Sequence, residues 1–308
     1  MKLVLGFVLV ISSMSALAWE ADNTKALSDV SYIPAQGTFF GRTTMEWNSI
    51  TGEIGLTSSE VDYSAGFTTF GQEIGYGISD RLQVLVGYEN QLKGRIAVEA
   101  NGNRDIEGPA NPDLGFIYRV LKQEDDSINL DIGVSYSPDL FDSESNSTKN
   151  ESDNASGGSS ITLGGRGAKK FTNVDMTAEV RLRLNGSTET KDTVTKEKEK
   201  EDSTSDFLIS YTAQLPIENG FFVKGKLTSI MSSESKSKDS SGTTKTETSS
   251  STALEASLVY AILPETLVLE AGFGLLSASE YEVKTPTQTQ KYRDQSGNRV
   301  FISALYQF

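Results

Sequence analysis

The sequence predicts an all-β protein: a transmembrane antiparallel up-and-down β-barrel of about 12 strands, with short periplasmic turns and long extracellular loops. Three observations predict it. Apolar and polar residues alternate through successive segments of about ten residues, as strands with one dry face require. Tight and long connections alternate strictly between those segments. Charges within the segment cores keep almost entirely to one face, with Lys169 near a tight turn on the other.

The chain opens like an exported protein. Lys2 supplies a positive start, residues 3–11 an apolar run, and Ala16-Leu17-Ala18 a small-residue cleavage site. A spanning helix needs about 20 apolar residues, so this run is a removable signal. The expected organisation is a signal peptide over 1–18, a periplasmic N-terminal segment over 19–35 and a barrel over 36–308. The segment from Trp19 to Ala35 lacks clear alternation and reads as a tail or a small plug. Beyond the signal, no run is long and apolar enough for a membrane helix.

Twelve segments follow: 36–48, 62–78, 82–92, 112–121, 127–137, 159–171, 174–186, 204–216, 221–232, 251–263, 267–279 and 298–308. In one, Val174, Met176, Ala178, Val180, Leu182 and Leu184 alternate with Asp175, Thr177, Glu179, Arg181 and Arg183. Tight connections fall at 79–81, 122–127, 172–173, 218–220 and 264–266. The long ones, such as "SESNSTKNESDNASGGSS" and "TKDTVTKEKEKEDSTSD", are rich in Ser, Thr, Asp, Glu and Lys. They read as solvated loops, or as adhesive or receptor surfaces.

A soluble sandwich also alternates, but its loops have no reason to alternate in length. The charges decide between the two. Arg42, Glu46, Glu73, Glu89, Asp113, Arg119, Asp131, Arg166, Lys170, Asp175, Glu179, Arg181, Arg183, Lys224, Lys226, Glu255 and Glu270 all fall on the faces opposite the apolar ones. A charge facing lipid at the midplane costs about 2–4 kcal/mol, so lipid demands this arrangement. Closure leaves no unpaired edge in hydrocarbon.

The last strand supports closure. Val300, Ile302, Ala304, Tyr306 and Phe308 share one face. Ile302, Ala304, Tyr306 and Phe308 resemble the terminal signal of bacterial outer-membrane proteins, which the outer-membrane assembly machinery reads. Trp47, Tyr88 and Tyr136 lie near strand ends that lead into long loops, and Phe221, Tyr260 and Phe308 near tight turns or the terminus. They are candidates for two aromatic girdles.

At "GYGISDRLQVLVGY" (Gly75 to Tyr88) and "PDLGFIYRVL" (Pro112 to Leu121) the chain resembles outer-membrane transporters of the phenol-degradation MetA-pathway family. The resemblance covers roughly residues 70–135 and the terminus. It implies a barrel with a transport role for small hydrophobic or aromatic compounds, and it carries no catalytic residues onto this chain. The long charged loops depart from the family's pattern.

Composition removes several chemistries. The chain has no cysteine and no histidine, and a formal net charge of −14. Disulfides, thiolate metal sites and a lipidated cysteine are excluded. An acidic balance without a basic patch argues against nucleic acid. No cofactor or metal is expected; carboxylate-rich loops such as "DLFDSESNSTKNESDNAS" could hold calcium, but without the fixed spacing of a calcium loop. Hydrolytic barrels rely on a histidine, and the inward acids are interspersed with Arg and Lys, so an enzyme is not expected. The glycines of Gly75-Tyr76-Gly77 and Gly272-Phe273-Gly274 ease curvature or make room in the lumen.

Arg166, Lys170, Arg181, Arg183, Lys224 and Lys226 come from neighbouring segments and form a candidate basic wall. Glu46, Glu73 and Glu89 form a candidate acidic wall opposite. Two readings of these walls stay open: a transverse field across a water-filled pore, or charges that pair and plug a narrow lumen. The expected function is passive passage of small solutes. The alternative is a non-conducting barrel whose loops act as surface structure, adhesin or receptor. Expected partners are outer-membrane lipid, the assembly machinery and small solutes. No strand has a conspicuously polar outer face, so nothing marks an oligomer interface.

Overall fold

Twenty strands among the described residues form a single sheet in the computed structural model. It describes residues 32–308 apart from 57–58, 100–101, 124–126, 155–157, 172, 218 and 264–265. The signal segment and residues 19–31 lie outside the described residues. Among those described there is no helix.

Along the chain, β1 (Phe39–Gly55), β2 (Glu60–Ser79) and β3 (Leu82–Val98) are long hairpin arms. Next come β4 (Gly102–Pro109), β5 (Asp113–Leu121), β6 (Asn129–Ser137), β7 (Ser143–Asn146), β8 (Glu151–Asp153), β9 (Ser160–Lys170) and β10 (Asp175–Asn185). They are followed by β11 (Thr188–Asp192), β12 (Lys198–Glu201), β13 (Thr204–Pro216), β14 (Phe221–Ser232), β15 (Ser235–Asp239) and β16 (Gly242–Thr246). The last are β17 (Ser249–Leu263), β18 (Leu267–Ala278), β19 (Tyr281–Lys284) and β20 (Thr289–Gln307).

Antiparallel pairing runs β1–β2–β3–β5–β6–β9–β10–β13–β14–β17–β18–β20 and returns from β20 to β1. The sheet is therefore a closed barrel. Phe308 completes the seam, with its N–H donated to the Phe39 carbonyl and its own carbonyl accepting from the Phe39 N–H.

The expected count of about 12 strands falls short of the twenty present. The difference lies in β4, β7, β8, β11, β12, β15, β16 and β19, which occupy stretches expected to be loops. Above the membrane zone the pairing makes a second circuit through β3–β4–β8–β7–β11–β12–β15–β16–β19–β20. The polar connections are thus a β-structured crown. Composition hid this because a strand in water on its outer face needs polar alternation and cross-strand pairs rather than apolar residues. Lys200 lies 3.2 Å from Glu189, Lys245 2.7 Å from Glu234 and Lys291 2.8 Å from Glu280.

The up-and-down order also breaks at one place. β4 pairs β8 and β7 pairs β11, both in parallel. The hairpin β7–β8 has crossed over, so β8 rather than β7 meets β4. The crossing begins where β4 and β5 part, between Pro109 and Pro112, neither of which has an N–H to donate to a ladder. Asn111 pins it. Its Oδ1 accepts from the N–H groups of Leu140 (3.0 Å) and Phe141 (2.9 Å), its carbonyl from the Ser137 hydroxyl, and its Nδ2 donates to the Gly158 carbonyl. Each such bond is worth about 1 kcal/mol net. Asn111→Ala is expected to make residues 138–158 readily cleaved in limited proteolysis while the barrel below stays resistant.

One crown residue makes the structure pH-dependent. Glu201 is buried, flanked in register by Thr188 and Ser237. Its Oε1 has no hydrogen-bond partner among the described residues. Burial pushes the carboxyl up to about 7 against the opposing effect of the Ser235 hydroxyl, and Glu199 and Asp202 push it further in the same direction. The unfolded chain gives up this proton near its ordinary 4.5 and the folded crown only near 7. Stability is therefore fully present below about pH 4.5 and falls, by roughly 3 kcal/mol at most, as pH rises to 7. Protection factors for hydrogen exchange in β12 and β15, which take out the pH dependence of intrinsic amide exchange, are expected to be higher at pH 5 than at pH 8, and Glu201→Gln to flatten the difference.

Large apolar side chains face outward in a belt around the membrane zone. Val86, Phe116, Ile132, Leu163, Val180, Leu227, Leu258, Phe273 and Ile302 are all exposed. So continuous an apolar surface marks contact with lipid. Trp47, Tyr88 and Tyr136 are exposed along its loop-side rim, and Phe39, Phe221, Tyr260 and Phe308 along its turn-side rim.

Candidate functional site

Every second side chain of the ring points into the lumen, which has three zones. At the turn end it is apolar. Phe40, Leu85, Ile117, Val259, Ala261, Val268 and Leu305 form a collar, and Tyr32 and Ile33 pack inside it. Pro34 is fully buried with them. The segment approaches the wall closely. A Cβ on Gly77 would lie 2.3 Å from the Ala35 carbonyl oxygen and 2.7 Å from that of Pro34, so only glycine lets the chain pass there. The Tyr32 hydroxyl donates to Gln307 Oε1 of the last strand, and the Gly37 N–H donates to the Gly77 carbonyl. The end of the segment expected to be a tail or a small plug therefore fills the mouth of the barrel.

The middle zone is a chamber of about 120 Å³ walled by charge. Arg42, Glu46, Glu73, Glu89, Glu179, Arg181, Lys224, Lys226, Glu255, Glu270 and Arg299 all line it. Buried charges persist only when compensated, and here the compensation is direct. Arg181 Nε lies 2.7 Å from Glu179 Oε1. Lys224 Nζ lies 3.0 Å from Glu270 Oε1, which also accepts from the Ser257 hydroxyl at 2.6 Å.

Arg299 marks the upper limit of the chamber, with one guanidinium nitrogen on Glu46 and another on Glu255. The three also line a second cavity of about 50 Å³ above. Gly274 stands between Arg299 and Glu255 in the ladder. A Cβ there would come within 3.0 Å of the Glu255 side chain, so the glycine makes the room this bridge occupies. Above the second cavity the lumen is apolar again on one side, where Ile50, Ile54, Val61, Tyr63, Phe67, Ile96, Tyr281 and Tyr292 cluster. Tyr281 and Tyr292 stack with ring centroids 4.8 Å apart.

The candidate residues divide among these zones. Glu46, Glu73 and Glu89 line the chamber, as do Arg181, Lys224 and Lys226. Arg166 is instead committed to the wall. Asp131, 2% exposed, accepts from both Arg166 (2.6 Å) and Arg119 (2.7 Å). Arg183 donates to the Ser160 hydroxyl at 3.1 Å. Lys170 lies at the turn end, largely exposed and 4.0 Å from Asp175. Ile302, Ala304 and Phe308 face away from the lumen at the seam, and Phe308 stacks on Phe39 and Tyr306. The basic set is thus interleaved with Asp131, Glu179 and Glu270. Arg299 joins them from outside both candidate walls; its sign in the sequence is its alternation with Val300 and Ile302, which turns it inward.

The sheet matches solved outer-membrane barrels. It superposes on the COG4313 outer membrane channel from Pseudomonas putida F1 with a TM-score of 0.60 at 12% identity, over 90% of this chain and 97% of that one. The transport unit of the autotransporter AIDA-I from Escherichia coli gives 0.51 at 10% identity, with 97% of each chain covered. No family model and no curated protein matches the sequence. At such identities the likeness is one of fold. Together with the closed ring, the lipid-facing belt and the charged interior, it makes this chain a β-barrel of the bacterial outer membrane.

Proposed function

We propose that the protein is an outer-membrane channel for passive passage of small solutes, closed at rest at its periplasmic mouth by Tyr32–Pro34. The turn end is taken as periplasmic and the crown as extracellular, following the usual orientation of such barrels. One observation carries the reading: a charged chamber lies inside a closed membrane ring, and its lower exit is blocked by a segment that belongs to no strand. A barrel built only as a scaffold would gain more from apolar filling than from buried ions. The resemblance to MetA-pathway transporters and the fold of the Pseudomonas channel support the same role, and Ile302, Ala304, Tyr306 and Phe308 are read as the assembly signal. No catalytic role is proposed, because the chain has no histidine and the chamber carboxylates lie among cations.

The test is single-channel recording of the refolded protein, from Trp19, in a planar bilayer under asymmetric salt. Discrete steps are expected. In Arg181→Ala with Arg183→Ala, Glu179 loses its counter-ion and the reversal potential is expected to move toward cation selectivity. An unchanged potential would remove these arginines from the conduction path. A folded barrel that never conducts would favour the second reading, a surface structure displayed through the crown, for which the ordered crown strands speak.

A further inference from the structure

Gln83 is the most anomalous side chain in the barrel. It is wholly inaccessible to solvent, yet neither its Oε1 nor its Nε2 has a hydrogen-bond partner among the described residues. Its place in the wall says what covers it. In register it lies between Gly77, over which Pro34 and Ala35 pass, and Ile117, which packs in the collar with Tyr32 and Ile33. A lumen-facing amide so near the mouth of a barrel would ordinarily be hydrated. Here both of its register neighbours meet the inserted segment, which is therefore placed to seal it in.

We infer that Gln83 makes the plug a metastable closure: its amide is satisfied when Tyr32–Pro34 withdraws and unmet when the segment is seated. The rest of the interface pulls the other way. Tyr32 and Ile33 bury apolar surface in the collar, and the Tyr32 hydroxyl has its partner on Gln307. The closed state therefore wins by apolar contact and gives part of that back at one polar side chain. A buried amide group left unpaired is expected to shift the closed-to-open ratio by roughly tenfold. The inference rests on the proposed channel only for what the opening serves, and its test does not need conduction.

The chain contains no cysteine, so Ile33→Cys provides a unique thiol that a water-soluble maleimide reaches only when the plug is out. In that background Gln83→Met keeps the length of the side chain and removes both polar groups. Labelling of the refolded barrel, its fold checked by heat-modifiable gel migration, is expected to slow by about tenfold relative to the parent. Gln83→Leu serves as the second variant if Gln83→Met does not refold. An equal or faster rate in either folded variant would overturn the inference, because the amide would then be satisfied in the closed state. So would a parent that never labels, since its plug would not open at all. A barrel that labels as expected but conducts nothing would leave the plug metastable and remove the channel.

Discussion

Asp131→Ala is expected to lower the stability of the folded barrel by roughly 3–5 kcal/mol, the largest loss from any single side chain in the wall. The reason is arithmetic of charge. One carboxylate, 2% exposed, serves two guanidinium groups, Arg119 from β5 and Arg166 from β9. Removing it takes a shared counter-charge from two guanidinium groups that are themselves almost fully buried. Asp131 sits on β6 between the two strands, so the same change loosens two adjacent ladders. Urea denaturation in detergent or lipid is the measurement. Arg119→Met with Asp131→Leu and Arg166→Met removes the node together and is expected to recover most of the loss, since neutral packing of similar volume usually does. A single Asp131→Ala barrel as stable as the parent would mean that the arginines find other partners.

The second large effect concerns the mouth. Tyr32→Ser with Ile33→Ser is expected to turn a mostly closed barrel into one that conducts for most of the recording. Burying a Tyr and an Ile is worth about 1.5–3 kcal/mol each, so losing both shifts the plug equilibrium by two orders of magnitude or more. The collar is left intact, and the strands need not move. Open probability in planar bilayers reads the change directly. A folded double variant whose open probability is no higher than the parent's would place the closure elsewhere, with the Arg299 bridge and the tyrosine stack as the remaining constrictions.

The ring was readable in the sequence because lipid enforces a single rule on its outer face. The crown was not read, yet β2 contains the signal. Val61, Tyr63, Ala65 and Phe67 are apolar at odd positions, whereas Phe70, Ile74 and Ile78 are apolar at even ones. The first four are buried inside the crown, and Ile74 and Ile78 face lipid. The change of parity marks the height at which the strand leaves the bilayer, where water replaces lipid outside and packing replaces ions inside. The collar had its own sign. At Val84-Leu85-Val86 and Leu267-Val268-Leu269 both faces are apolar, which lipid alone does not require. What alternation cannot give is which cation meets which anion. Arg166 and Arg183 share a face with Arg181, but pairing to Asp131 and Ser160 depends on stagger between strands. Gln83 was equally hidden, since a glutamine on a lumen face is unremarkable until something covers it.

The crossed hairpin imposes an order of events on the nascent barrel. In the membrane ring each new strand finds its neighbour already made, so hairpins can be added one after another with little loop closure at each step. β7 departs from that schedule, because both of its neighbours, β8 and β11, come after it in the chain. β8 reaches back past it to β4, and the far edge of β7 stays open until β11 is in place. The crown therefore closes in retrospect, after the wall beneath it has advanced past β10. Until then the polar hairpin keeps one edge in water, where its charges hold it soluble, and the bonds that close that edge form far from lipid.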